Sequence, residues 1–437
     1  SNDFWNSGGV RFYIGDIYSA TTTFDVSKNN FYSCTSIVAV DITDGPMWDV
    51  ASKFFDCDTS VSVYSEGNAT SLSYTASGDS VIMNGIQFSS GGTVVVYGGY
   101  FNNTNIAINV TRAGSAQVSF ISFYNVKVPA VIECQSLDDF SYMTFNNCGG
   151  SVVTVHNQTY SLIISYNHWQ SINGTALSVT TPSHCIIEIA TFTDCSSEGN
   201  GGALALFGAG SYELFSNDFI STTAKGNGGA IYAEDTILYL HSVDIQQSSA
   251  SQNGGIGYFT GCNITIEQGS YSNASAIQGG CLYAVNSTQF STNFYTKFED
   301  CDAQNTGGAI YLDNSDGESL IAYIQNSNFT SNSASNGAAV ACCTNSSSCN
   351  LEVDDTGSVY VSNTNTIGTS GADITCPFPA SEEEQYSSSS GLSSFAVHSI
   401  ITIGVLILVI LIFVGGFAIN KFLTKKSNTE ESDPLIQ

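Results

Sequence analysis

The sequence predicts an all-β fold, a right-handed parallel β-helix solenoid of about 14 coils, followed by one C-terminal transmembrane α-helix. Three observations carry that expectation. An aromatic residue followed three positions later by Cys or a small polar residue recurs every 20 to 31 residues. A glycine doublet leading into an apolar run follows the later copies. Near the C-terminus, residues 400–419 form a 20-residue stretch without a single charge.

The aromatic repeat is clearest in FYSC at Phe31, FFDC at Phe54, FNNC at Phe145, FTDC at Phe192, FEDC at Phe298 and FTSN at Phe329. Weaker copies start at Tyr74, Phe101, Phe123, Trp169, Phe219, Ile245 and Tyr271, with a degenerate last one at Ile367. The glycine signature reads GGALAL at Gly201, GGAIYA at Gly228, GGIGYF at Gly254, GGCLYA at Gly279, GGAIYL at Gly307 and GAAVAC at Gly337. Between these marks lie two or three short β-rich runs separated by Gly, Asn and Ser corners. One such unit cannot bury its own apolar face, whereas stacked units share a continuous core of in-register parallel strands. The aromatic rings are expected to stack coil upon coil inside it.

Cysteine placement adds detail. Cys34, Cys57, Cys148, Cys195 and Cys301 share one repeat position and predict a single interior row. Cys34 and Cys57 fall in adjacent coils, at a separation that suits either a disulfide or a reduced buried stack. Cys342, Cys343, Cys349 and Cys376 cluster near the end and are the candidates for disulfides that staple the last coils. Thirteen cysteines is an odd number, which leaves at least one thiol free or intermolecular.

Residues 1–379 are expected to form the ectodomain, 380–396 a Ser- and Glu-rich linker, 397–420 the membrane helix and 421–437 a cytoplasmic tail. At 1.5 Å per residue the apolar stretch crosses a hydrocarbon core of about 30 Å. Lys421, Lys425 and Lys426 follow it and Glu382, Glu383 and Glu384 precede it, so the positive-inside bias puts the N-terminal part outside. The expected location is the plasma membrane, as a single-pass type I protein whose leader lies outside this sequence. Ten Asn-x-Ser/Thr sequons, all ahead of the span, are candidate glycosylation sites: Asn68, Asn102, Asn109, Asn157, Asn173, Asn263, Asn273, Asn286, Asn328 and Asn345. In the tail, Glu431 stands four residues before Leu435 and Ile436, the acidic dileucine pattern of a sorting signal read by clathrin-adaptor machinery.

The net charge of −28 repels phosphate backbones and excludes a nucleic-acid partner. No cofactor and no metal is expected: the histidines are scattered without zinc spacing, no G-x-S-x-G elbow occurs, and DNSDGE from Asp313 only loosely follows a calcium loop. The acidic pairs Asp56/Asp58, Asp138/Asp139, Glu234/Asp235 and Asp354/Asp355 are expected at solvated corners, with no catalytic residue among them. One possible contact surface stands out. Tyr232, Tyr258, Tyr283 and Tyr311 hold equivalent places in four successive glycine signatures. Strand alternation throws them outward if the preceding Ile or Leu points in, giving either an exposed ladder or an ordinary half-buried stacking row.

The paired signatures, GGA[IL] with F-x-x-[NC], resemble the polymorphic outer-membrane protein repeat of chlamydial adhesins and of protist surface families such as those of trichomonads. The likeness spans about residues 30–375, and the C-terminal helix, lysines and tail resemble the protist, type I version. That resemblance implies adhesion, through contact with a host-cell surface protein or glycan. The expected function is therefore a membrane-anchored, non-enzymatic cell-surface adhesin that makes contact through the side of a β-helical rod. The alternatives are an anchored pectin-lyase-like polysaccharide lyase or hydrolase, and a structural coat protein.

Overall fold

The computed structural model describes residues 85–376 apart from 90, 159, 315–319, 344–350 and 367–372, together with the backbone of short strands ahead of residue 85. The chain divides into two units, Ser1–Pro379 and Ala380–Gln437, and the second lies outside the described residues. The apolar stretch 400–419 and the tail motif at Glu431, Leu435 and Ile436 lie there too. Among the described residues there is no helix long and apolar enough to cross a membrane.

What is described is a parallel β-solenoid of about ten turns with no helix. Each turn contributes a short strand in the aromatic row, a second strand and a third strand, and the later turns, from Gly201 on, add a glycine corner between the first two. In one turn these are Asp218–Ile220, the corner at Gly228, Ile231–Glu234 and Ile237–His241. Every strand pairs in parallel with its equivalent one turn on, as Phe219 with Ile245, Ile231 with Gly257 and Ile237 with Asn263.

The aromatic row forms as the repeat predicts. Phe123, Phe145, Trp169, Phe192 and Phe219 lie in successive turns with ring centroids 4.5–5.0 Å apart and planes within 9° of parallel. Ile245 interrupts the rings, and Tyr271, Phe298, Phe329 and Tyr360 resume them at 4.9–5.3 Å. Offset parallel rings gain roughly 0.5–1.5 kcal/mol per pair beyond burial, and cutting one buried Phe to Ala costs about 3–5 kcal/mol.

Two copies of the repeat are corrected. The row runs from Phe54 through Ser80 to Phe101, whereas Tyr74 pairs with Val50 and Val96 in another strand. Register, not ring chemistry, decides the place. At the other end Tyr360 follows Phe329, so the copy after Phe329 is VYV at Val359–Val361, ahead of the one expected at Ile367, which lies outside the described residues.

The glycine doublets are required by geometry. Gly228 sits at φ +67°, and a Cβ on Gly229 would lie 2.0 Å from the carbonyl oxygen of Gly255 in the next turn. Neither position accepts a side chain without moving the coil. The interior row three residues beyond the aromatic holds buried Cys148, Ile172, Cys195, Thr222, Ser248, Ala274, Cys301 and Asn332. Its polar members are paired: Thr222 and Ser248 share a 2.7 Å hydrogen bond, and Asn332 accepts from the Cys301 N–H and donates to the Phe298 carbonyl.

Candidate functional site

The expected tyrosine ladder exists as a stack, with its members in register and ring centroids 5.7, 5.1 and 5.1 Å apart. Ile231, Leu282 and Ile310 point inward, as the alternation requires. The ladder is nevertheless not an open surface. Tyr283 and Tyr311 are 7% and 2% exposed, and with Ala341 they make a small apolar cluster outside the main core. The Tyr283 hydroxyl donates to Asp313 Oδ2 at 3.1 Å, and burial followed by the Asp313 charge pushes its pKa up. The Tyr232 hydroxyl donates to Glu234 Oε2 at 3.1 Å, and burial with Glu234 pushes it up to about 12. The half-buried stacking row is the outcome, with Tyr232 and Tyr258 partly exposed and Tyr283 and Tyr311 buried.

A different aromatic row is open. The corner after the third strand passes through the left-handed region in turn after turn. It is occupied by Phe120, Tyr142, Tyr166 and Ile189 at φ +50° to +60°, then by Ser216, Ser242 and Gln268. Gly and Asn suit such a position best, whereas bulky aromatic and β-branched residues are the most strained there. The bulky four are 43–49% exposed. Tyr97 tilts against Phe120 at 5.1 Å, and Phe120, Tyr142 and Tyr166 stack at 4.7 and 4.8 Å. Beneath them the strand position just before the corner carries Ser119, Ser141 and Ser165, all buried. This ridge escaped the sequence reading, yet it was visible there as a second bulky residue three positions before the repeat aromatic.

The ridge continues onto the third sheet. Among the described residues, every exposed large hydrophobic except Val152, Tyr160, Val359 and Val361 lies on that sheet or its left-handed corner. Farther along, the sheet holds an open cavity of about 340 Å³ walled by His184, Glu213, Phe215, Tyr239, His241, Thr265 and Glu267. His184 Nε2 approaches Glu213 Oε2 at 3.7 Å and its Nδ1 meets Ser211 Oγ at 2.8 Å. His241 Nδ1 lies 3.5 Å from Glu267 Oε2, and its ring stacks on Phe215. Carboxylates and imidazoles beside free ring surface can bind hydroxyl-bearing ligands.

Among the described residues, all sequons but one lie off this face. Asn102, Asn273 and Asn328 lie on the aromatic strand, Asn173 just after it, Asn109 on the second strand, and Asn157 and Asn286 beyond the second strand. Asn157, Asn173, Asn273 and Asn286 are exposed and Asn102, Asn109, Asn263 and Asn328 half-buried. Only Asn263 falls on the third sheet, at the first residue of Asn263–Glu267, among the described residues. Asn68 and Asn345 lie outside them.

The cysteines resolve differently from the expectation. Cys342 bonds Cys376, tying the end as foreseen, and Cys343 is disulfide-bonded to a partner outside the described residues, where Cys349 also lies. Cys301 leaves the reduced interior row to bond Cys281 at the preceding glycine corner. Cys134, Cys148, Cys185, Cys195 and Cys262 are free and buried. Burial pushes Cys134 and Cys195 up to about 12, which keeps them protonated and poorly nucleophilic. Cys34 and the side chain of Cys57 are outside the described residues. Among the described residues no group of His, Cys, Asp and Glu is arranged to hold a metal ion. No protein-family model, curated protein or solved structure matches the chain.

Proposed function

We propose that the chain is a non-enzymatic, membrane-anchored cell-surface adhesin of the polymorphic outer-membrane protein repeat kind. In this reading the solenoid is right-handed, extends to about 14 coils through its N-terminal strands, and is held by the membrane helix at 397–420. The tail pattern at Glu431, Leu435 and Ile436 then serves retrieval from the surface. Contact is made through the third sheet and its left-handed corner, not through the tyrosine ladder.

One observation supports this most. The exposed apolar side chains concentrate on the one lateral face that sequons nearly avoid, and they include Phe120, Tyr142, Tyr166 and Ile189 in a backbone conformation that disfavours them. Exposed rings kept at a cost to folding are what a binding surface needs. Repetition of the ridge over successive coils, and of the chain over a cell, supplies avidity in place of one deep pocket.

The test is adhesion of cells displaying the full chain to a panel of cell monolayers. Tyr142→Ser with Tyr166→Ser installs the residue that Ser216 and Ser242 already place at this corner, so folding and display persist. Adhesion is expected to fall at least about tenfold, as for loss of interface hot spots. Unchanged adhesion, with equal display, refutes the reading.

A further inference from the structure

The cavity on the third sheet borders the one sequon found on that face among the described residues. Asn263 opens the strand, and Thr265, the third residue of Asn-Ile-Thr, forms part of the cavity wall. Register sets Ile237 beside Asn263 and Tyr239 beside Thr265, one turn earlier. Both neighbours are exposed, at 40% and 45%, and the Tyr239 ring stacks on no other aromatic ring among the described residues. Asn263 Oδ1 accepts from the Thr288 hydroxyl in the next turn, while its Nδ2 makes no hydrogen bond among the described residues.

We propose that Asn263 carries an N-linked oligosaccharide whose first sugars lie in this cavity against Tyr239, so that the chain fills the groove with its own glycan. The C–H faces of sugar rings pack on an aromatic face, and Tyr239 and Ile237 offer apolar surface next to the attachment atom. Sugar hydroxyl and acetamido groups donate to Glu213, which is in register with Tyr239 one turn earlier, and to Glu267, which is in register with His241 one turn later. Uncharged core sugars suit those carboxylates, whereas an acidic saccharide is repelled by them and by the net charge of −28.

The transfer balances simply. Nδ2 bonds to the anomeric carbon of an oligosaccharide carried on a polyprenyl pyrophosphate, and the anomeric C–O bond breaks. The pyrophosphate leaves with the electron pair, and one Nδ2 proton passes to the transferase. The inference rests on the surface reading above, since only a chain entering the secretory route meets that donor. It adds that the groove is closed to outside ligands and that the contact surface is the ridge from Tyr97 to Ile189.

The test uses the full chain, secreted through a eukaryotic cell behind a leader, with glycopeptide mass spectrometry at each sequon. Native endoglycosidase digestion then compares Asn263 with whichever of the exposed Asn157, Asn173 and Asn286 are occupied. Asn263 is expected to be occupied and its glycan released about tenfold more slowly than theirs. Tyr239→Ala is expected to abolish that protection and Tyr239→Phe to keep it. A bare Asn263 beside occupied exposed sequons, or equal release rates, overturns this inference alone. A chain bare at every sequon overturns it together with the surface reading.

Discussion

The Asn217 side chain reaches back into the preceding turn and closes on Ala190: its Oδ1 accepts the Ala190 N–H at 3.0 Å, while its Nδ2 donates to the Ile187 carbonyl at 2.8 Å. Asn167 makes the same clamp on Met143 and Phe140. Both asparagines are buried two residues before the row aromatic, where the corner leaves one donor and one acceptor unmatched by strand pairing. Asn217→Ala strands those two backbone groups and is expected to cost about 2–4 kcal/mol. Denaturant unfolding gives the loss, and faster hydrogen exchange at the Ala190 amide locates it.

The Cys281–Cys301 bond closes a segment of 20 residues between a glycine corner and the next turn. Restricting the unfolded chain in this way is worth roughly 3 kcal/mol. Cys281→Ala with Cys301→Ala is expected to lower thermal stability by that amount. Reductant should then destabilise the double variant less than the parent, since Cys342–Cys376 remains in both.

Ile189 is β-branched, exposed and left-handed at φ +50°. Asn accepts that conformation at about 1 kcal/mol less strain. Ile189→Asn is therefore expected to raise the unfolding midpoint. A fall would show that the corner owes more to apolar contact than to backbone preference.

Asp218 and Asp244 occupy the same register in adjacent turns. Desolvation first and the Asp244 charge second hold the Asp218 carboxyl above its ordinary value of 3.8. A carboxyl raised in the folded state penalises folding at every pH above its folded pKa. The penalty fades as pH falls through that value and is gone below the unfolded one. Asp244→Asn is thus expected to stabilise the protein at neutral pH by a few tenths of a kcal/mol, the usual scale for exposed like charges. The gain should vanish near about pH 3. Melting curves across that range check the sign.

The solenoid was legible because its causes are local and recurrent. Phe145, Phe192 and Phe298 announce the interior row, and Gly228 with Gly229 announces a corner that no side chain can enter. What failed were features set by neighbours in space. Tyr74 has the right chemistry at the wrong register, and Ser80 holds the place with no signature. Cys281 and Cys301 pair because one corner abuts the next turn, a relation that spacing within one repeat does not express. The exposed ridge at Phe120, Tyr142 and Tyr166 lies three residues ahead of the aromatic, outside the motif that marks the interior row, and its openness depends on what the neighbouring turns leave uncovered. Burial of Tyr283 and Tyr311 depends on how the chain packs over them, which strand alternation alone does not decide.

The pairing of each turn only with those before and after it has an evolutionary consequence. Excising or duplicating one whole period leaves matching strand edges to rejoin, as the equivalence of Phe192, Phe219 and Ile245 illustrates. Unequal crossing-over can therefore lengthen or shorten the solenoid by whole periods, a change of gene length rather than a redesign of any packing interaction.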